Sequence, residues 1–156
     1  MKSRRQARQV VLQVLYSCDT LDDFSVENVE FVLSTTYAGS DEEISEVDQE
    51  NLGFVRMLLE TIIKNRPVID EAIAKASDHW AMARMARVDR NILRIGTAEV
   101  LCLSDIPVKV SINEAVELTK AFGSNESPTF VNGVLDKIAS CSIRALEIPA
   151  KLAINQ

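Results

Sequence analysis

A chain of 156 residues, 47% hydrophobic and 26% charged, is long enough to bury one sizeable core. No apolar run approaches the ~20 residues that cross a bilayer, and a net charge of −6 argues against a protein that simply coats nucleic acid. Three widely spaced cysteines (Cys18, Cys102, Cys141) and a single histidine exclude the usual zinc patterns and read as buried hydrophobes of a reducing compartment.

Glycine and proline are scarce, and the apolar spacing is helical nearly throughout. A first helix over about 3–18 places Ala7, Val11, Val14, Leu15 and Cys18 on one face and Arg5, Gln9, Gln13 and Tyr16 on the other. After the acidic turn 19–23, a looser helix follows over about 25–36, then a loop from Ala38 to Glu46. Helical spacing resumes over about 48–65, and Arg66-Pro67 restarts it to about residue 77, since proline suits a first helical turn. Val88-Asp89 opens a helix to about 104 with Ile92, Leu93, Ile95, Val100 and Leu103 as its buried stripe.

Asp105-Ile106-Pro107 makes a turn, and Ser111-Ile112-Asn113-Glu114 fits a capping box at the start of the next helix. Gly123 is expected to stop that helix with a left-handed cap. Ser127-Pro128 then opens a last helix in cap-plus-proline order, with Phe130, Val131, Val134, Leu135, Ile138 and Cys141 inward. Within it, Gly133 is read as allowing close helix approach and Asn132 as bracing a neighbouring loop. The pattern predicts an all-α fold of about seven helices, with no strand and no repeat at solenoid periods.

Catalytic constellations are thin. No glycine-rich phosphate loop, HExxH or GxSxG motif occurs. His79 beside Trp80 is read as a cap or surface residue, not as the base of a nucleophile pair with a distant cysteine. Glu42 and Glu43 fall in a polar stretch where solvation explains them. The basic N-terminus is followed by no apolar segment with a small-residue cleavage site, which predicts a cytoplasmic protein.

Charge is distributed unevenly. Residues 1–8 carry Lys2, Arg4, Arg5 and Arg8 without an acid, while residues 19–50 carry eleven acids without a base. Arg84, Arg87, Arg90 and Arg94 form a second basic cluster. Such islands suit focused contact with an anion, and glutamine and tyrosine beside them suit exposed bases. Arg5, Gln9 and Gln13, with Tyr16 one turn on, make a polar strip that equally suits a solvated helix face. Glu99, mid-helix among apolar residues, calls for a cationic partner, so one of the second cluster serves as a structural ion pair. Arg90 reads equally as brace and as contact.

Four blocks carry a resemblance. Arg4-Arg5-Gln6-Ala7-Arg8 continuing to Leu15-Tyr16, Val88 to Arg94, Val110 to Leu118 with Lys120, and Phe130 to Asp136 resemble the NusB family in the same order. The resemblance implies two small helical bundles, over about 1–80 and 81–145, with a tail at 146–156. It also implies a transcription antitermination factor of bacterial ribosomal-RNA operons. Members bind boxA RNA together with a small-subunit ribosomal protein called NusE, within a complex of other Nus factors and RNA polymerase. In the family the first helix and the loop before the last helix face RNA. Position by position, that nominates Lys2, Arg4, Arg5, Arg8, Gln13, Tyr16, Glu126 and Thr129. Arg84 and Arg87 join them on charge alone.

No catalytic residue, metal, cofactor or membrane association is expected. Two alternatives stand beside this reading. One is a homodimer that hides the first helix, since some members self-associate. The other is an RNA-targeting module like that preceding the catalytic domain of some ribosomal-RNA cytosine methyltransferases, here without room for a cofactor-binding sheet.

Overall fold

The computed structural model describes residues 2–38, 46–78 and 80–144. Among these residues seven α-helices follow one another: α1 (Lys2–Leu21), α2 (Val26–Ala38), α3 (Glu46–Lys64), α4 (Arg66–Ala76), α5 (Arg87–Cys102), α6 (Val108–Phe122) and α7 (Ser127–Arg144). A short 3-10 turn, Met82–Arg84, precedes α5, and no strand occurs among the described residues. Positions 39–45 of the loop expected from Ala38 to Glu46, His79 and the tail 146–156 lie outside the described residues, while Ala38 ends α2 and Glu46 begins α3.

The chain forms two compact units, residues 1–59 and 60–156. The division falls inside α3 and not near residue 80, because α4 packs on α5 and α7.

In the first unit, α1 buries Ala7, Val11, Val14, Leu15 and Cys18 at helical spacing, the stripe its sequence predicts. The helix continues to Leu21, through the start of the acidic segment read as a turn. Asp22 then takes a left-handed φ of 51°, and the Asp23 amide donates to the Cys18 carbonyl at 2.9 Å, which ends the helix. Val29, Val32 and Leu33 of α2 and Phe54, Val55 and Leu58 of α3 are buried in the same unit.

The second unit is organised around α5. Every residue from Asn91 to Cys102 is buried, so this helix has no solvent face where a single stripe was expected. Three helices, α4, α6 and α7, pack against it. Its polar side chains are therefore matched by specific partners. Arg94 donates from Nε to Asp70 Oδ1 at 2.9 Å, from Nη2 to Asp70 Oδ2 at 3.1 Å and from Nη1 to Asn91 Oδ1 at 2.9 Å. Glu99, 1% exposed, accepts a hydrogen bond from Ser111 Oγ at 2.9 Å.

Ser111 is thus spent across helices and does not cap α6. The helix starts one turn earlier, with Pro107 as the N-cap residue, and the capping box is overridden. Gly123 ends α6 without a left-handed conformation, at φ −97° and ψ −170°. Its small size is what matters. A Cβ there would meet Ser127 Oγ at 2.7 Å and the Thr119 carbonyl oxygen at 2.9 Å. Gly96 is the second close approach, because a Cβ would lie 2.7 Å from Leu135 Cδ1 and 3.5 Å from Ala115 Cβ. The expected role of Gly133 falls to Gly96, since Gly133 has nothing within 4 Å of a built Cβ. Asn132 is exposed and reaches Asp136 on its own helix, where a loop partner was expected.

These contacts set the register. Gly96, Ala115 and Leu135 share a level, and Glu99 meets Ser111, so α6 runs antiparallel to α5 and α7 runs parallel to it. The N-termini of α5 and α7 and the α6–α7 turn therefore share one end of the second unit.

Candidate nucleic-acid interface

Cations at a helix N-terminus oppose the helix dipole and cost a few tenths of a kcal/mol each. The first turn of α1 nonetheless has no acid, and Arg4 and Arg5 stand exposed there. Gln13 and Tyr16 are exposed further along α1, while Gln9 is half-buried. Lys2 belongs to α1, but its side chain is outside the described set.

Arg8 differs from its neighbours. It is 3% exposed, with its guanidinium 5.5 Å from the Phe54 ring centroid. Arg4, one turn earlier, lies over the same ring at 4.8 Å while remaining exposed. Phe54 therefore braces the basic end of α1, and only the exposed cations can reach a phosphate without rearrangement. Local spacing could not reveal Phe54, which sits 46 positions beyond Arg8 on another helix.

In the second unit, Arg84 ends the 3-10 turn and Arg87 begins α5, both exposed. Glu126 and Thr129 flank the start of α7 and are also exposed. The helix register brings Arg87, Glu126 and Thr129 to one end of this unit. The Ser127 hydroxyl holds the turn there, accepting from the Ser124 amide at 3.0 Å. Arg90 and Arg94 are turned to structure. Arg90 donates from Nη1 to the Met82 carbonyl at 3.3 Å, and Arg94 holds Asp70. Arg94 is thus committed to Asp70 and Asn91, and Glu99 is held by Ser111 from α6.

A groove of about 360 Å³ between α4 and α7 is lined by Val68, Ala72, Leu101, Ile138 and Cys141. The charges on its rim are paired, Lys75 with Glu71 on the rim itself and Lys137 with Asp78. Reactive polar groups do not converge in it as they do in an active site. Among the described residues no group of three or more His, Cys, Asp or Glu side chains is placed to hold a metal. Nor is any described helix long and apolar enough to cross a membrane.

The family model of NusB matches residues 5–140. The chain belongs to the NusB family. It is 42% identical over 141 residues to the transcription antitermination protein NusB of Trichlorobacter lovleyi, covering 90% of this chain and 93% of that protein. The NusB protein of Myxococcus xanthus is 42% identical over 139 residues, covering 89% and 96% respectively. The fold is similar to that of T. maritima NusB, with a TM-score of 0.74 at 34% identity over 88% of this chain and 90% of that one. A solved structure of antitermination factors NusB and NusE in complex with dsRNA aligns with a TM-score of 0.74 at 26% identity. It covers 90% of this chain and 98% of the aligned chain.

Proposed function

We propose that the protein is a transcription antitermination factor that binds boxA RNA of ribosomal-RNA operons together with NusE. The observation that carries this reading is its similarity, over 90% of the chain, to a solved structure of NusB and NusE in complex with dsRNA. The role is non-catalytic and cytoplasmic, within an elongation complex that includes RNA polymerase and other Nus factors. Arg4, Arg5, Gln13 and Tyr16 supply contacts from the first unit, joined by Lys2. Arg84, Arg87, Glu126 and Thr129 supply contacts from the second. Arg8 supports this surface from beneath through Phe54.

Charge explains why a partner is needed. At −6 overall, the chain attracts RNA only through local basic islands, and its acidic segment repels it. A basic ribosomal protein compensates for that deficit. A salt-series titration of boxA-containing RNA, with and without NusE, tests the reading. Binding should be tighter with NusE and should prefer boxA over a scrambled sequence. Equal affinity for both sequences in the presence of NusE would overturn it.

A further inference from the structure

The sequence contains a single tryptophan, Trp80, and it stands 52% exposed on the segment that joins α4 to α5. A half-exposed indole presents a large flat apolar face with a polar N–H at its edge, a shape suited to stacking. Among the other exposed aromatics, Tyr16 already belongs to the α1 strip, Phe31 projects from a helix that carries Glu27 and Glu30, and Phe122 closes α6, whose last turn pairs Lys120 with Glu117. Trp80 instead heads a stretch, residues 80–88, that holds Arg84 and Arg87 and no acid.

The path of that stretch follows from two anchors. Asp78 accepts from Lys137 Nζ at 2.9 Å, which pins the start beside the middle of α7. Arg87 begins α5, at the level of Glu126. Between those levels lie eleven residues of α7, about 16 Å at about 1.5 Å per residue. Trp80, Arg84 and Arg87 are therefore met in that order along a rise that a few nucleotides of single strand can span. Aromatic faces that stack bases, interspersed with arginines that neutralise phosphates, are how proteins hold single-stranded nucleic acid.

We propose that Trp80 is a base-stacking platform for single-stranded RNA, with Arg84 and Arg87 holding the phosphates that follow. The proposal rests on the RNA-binding reading above and adds a contact residue to it. Its ligand is a short, single-stranded RNA segment.

Because Trp80 is the sole tryptophan, its fluorescence reports the contact in the native protein. A single-stranded boxA-containing RNA, labelled at one end, is titrated in the presence of NusE, against a buffer blank with NusE alone. Anisotropy of the label measures binding, while tryptophan emission and its shielding from iodide measure stacking. The change is assigned to this chain by repeating the titration with W80F. The expected result is quenching and iodide protection that saturate with the anisotropy signal. W80A, with its helical circular dichroism intact, should bind about ten-fold more weakly, and W80F should retain most of the affinity. Binding by anisotropy with unchanged tryptophan emission and an unaffected W80A would sink the stacking platform and leave the antitermination reading standing. No binding by either signal would overturn both.

Discussion

The Arg8 guanidinium and the Phe54 ring are stacked within the first unit, 5.5 Å from carbon to centroid, with Arg8 almost wholly buried. A desolvated cation–π contact of this kind is worth about 2 kcal/mol. R8A should therefore lower stability by about that amount, and RNA affinity only in proportion to the disorder it introduces. R5A changes an exposed residue, so it should lower the melting temperature less than R8A does and reduce the salt slope of RNA binding by about one. Thermal melts paired with salt-series titrations separate the two. An R8A protein of native stability with a reduced salt slope would reverse the assignment.

The Arg94–Asp70 pair makes a second stability prediction. Asp70 is engaged by two parallel hydrogen bonds, and the Arg94 side chain is only 6% exposed. Removing the acid leaves a buried guanidinium with Asn91 Oδ1 as its remaining acceptor among these three hydrogen bonds. Breaking one side of such a pair costs about 3–5 kcal/mol. D70A should fall near the lower end, because Asn91 remains. The double variant D70A/R94M should recover part of the loss in denaturant melts. A loss under about 1 kcal/mol for D70A would show that the pair is not buried in solution.

These two pairs mark the limit of what was legible in the sequence. The stripe of α1, and that of α7 from Val131 to Ile138, can be read directly because both helices keep an exposed face and so retain periodicity; Cys141, expected inward, is exposed. The four matching blocks identified the family. Helix α5 departs from its expected stripe because burial on all sides removes the periodic signal, and the partners of Arg94 and Glu99 cannot be read from local spacing. Their partners, Asp70 and Ser111, lie 24 and 12 positions away and are set by helix packing. The same packing took Ser111 from the capping box. At the candidate interface, residue type identified the basic clusters, but which arginines remain exposed depended on Phe54 and Asp70.

Three glycines should respond differently to alanine. At Gly96 the new methyl meets the fully buried Leu135, which has nowhere to go, so G96A should cost about 1–3 kcal/mol. G123A should cost at least as much, because one obstacle is the rigid Thr119 carbonyl. Gly133 is exposed within α7 and has open space around it. G133A should stabilise the protein by about 0.5–1 kcal/mol through helix propensity. Urea melts of the three variants check the order, and a destabilised G133A would contradict the packing of α7.

The alkaline limb of stability should depend on Cys18. Burial raises its thiol pKa above the ordinary value, Asp23 and Asp19 add to the rise, and the Asn28 amide at 3.6 Å opposes it. The folded state thus holds this proton more tightly than the unfolded chain. Below about pH 8.5, the ordinary thiol value, both states keep the proton and the contribution is complete. Above it the unfolded chain ionises first, so stability falls as pH rises towards the folded-state value. Guanidinium melts from pH 7.5 to 10 should show this decline, and C18A should show a shallower one even though its cavity lowers stability at every pH. Thiol reactivity gives an independent check on the same burial. With Ellman's reagent at pH 8, exposed Cys141 should react at once, while buried Cys18 and Cys102 should react at the rate at which the helices open. Three thiols reacting together would mean that Cys18 is not enclosed, and the alkaline slope would then have to come from another group.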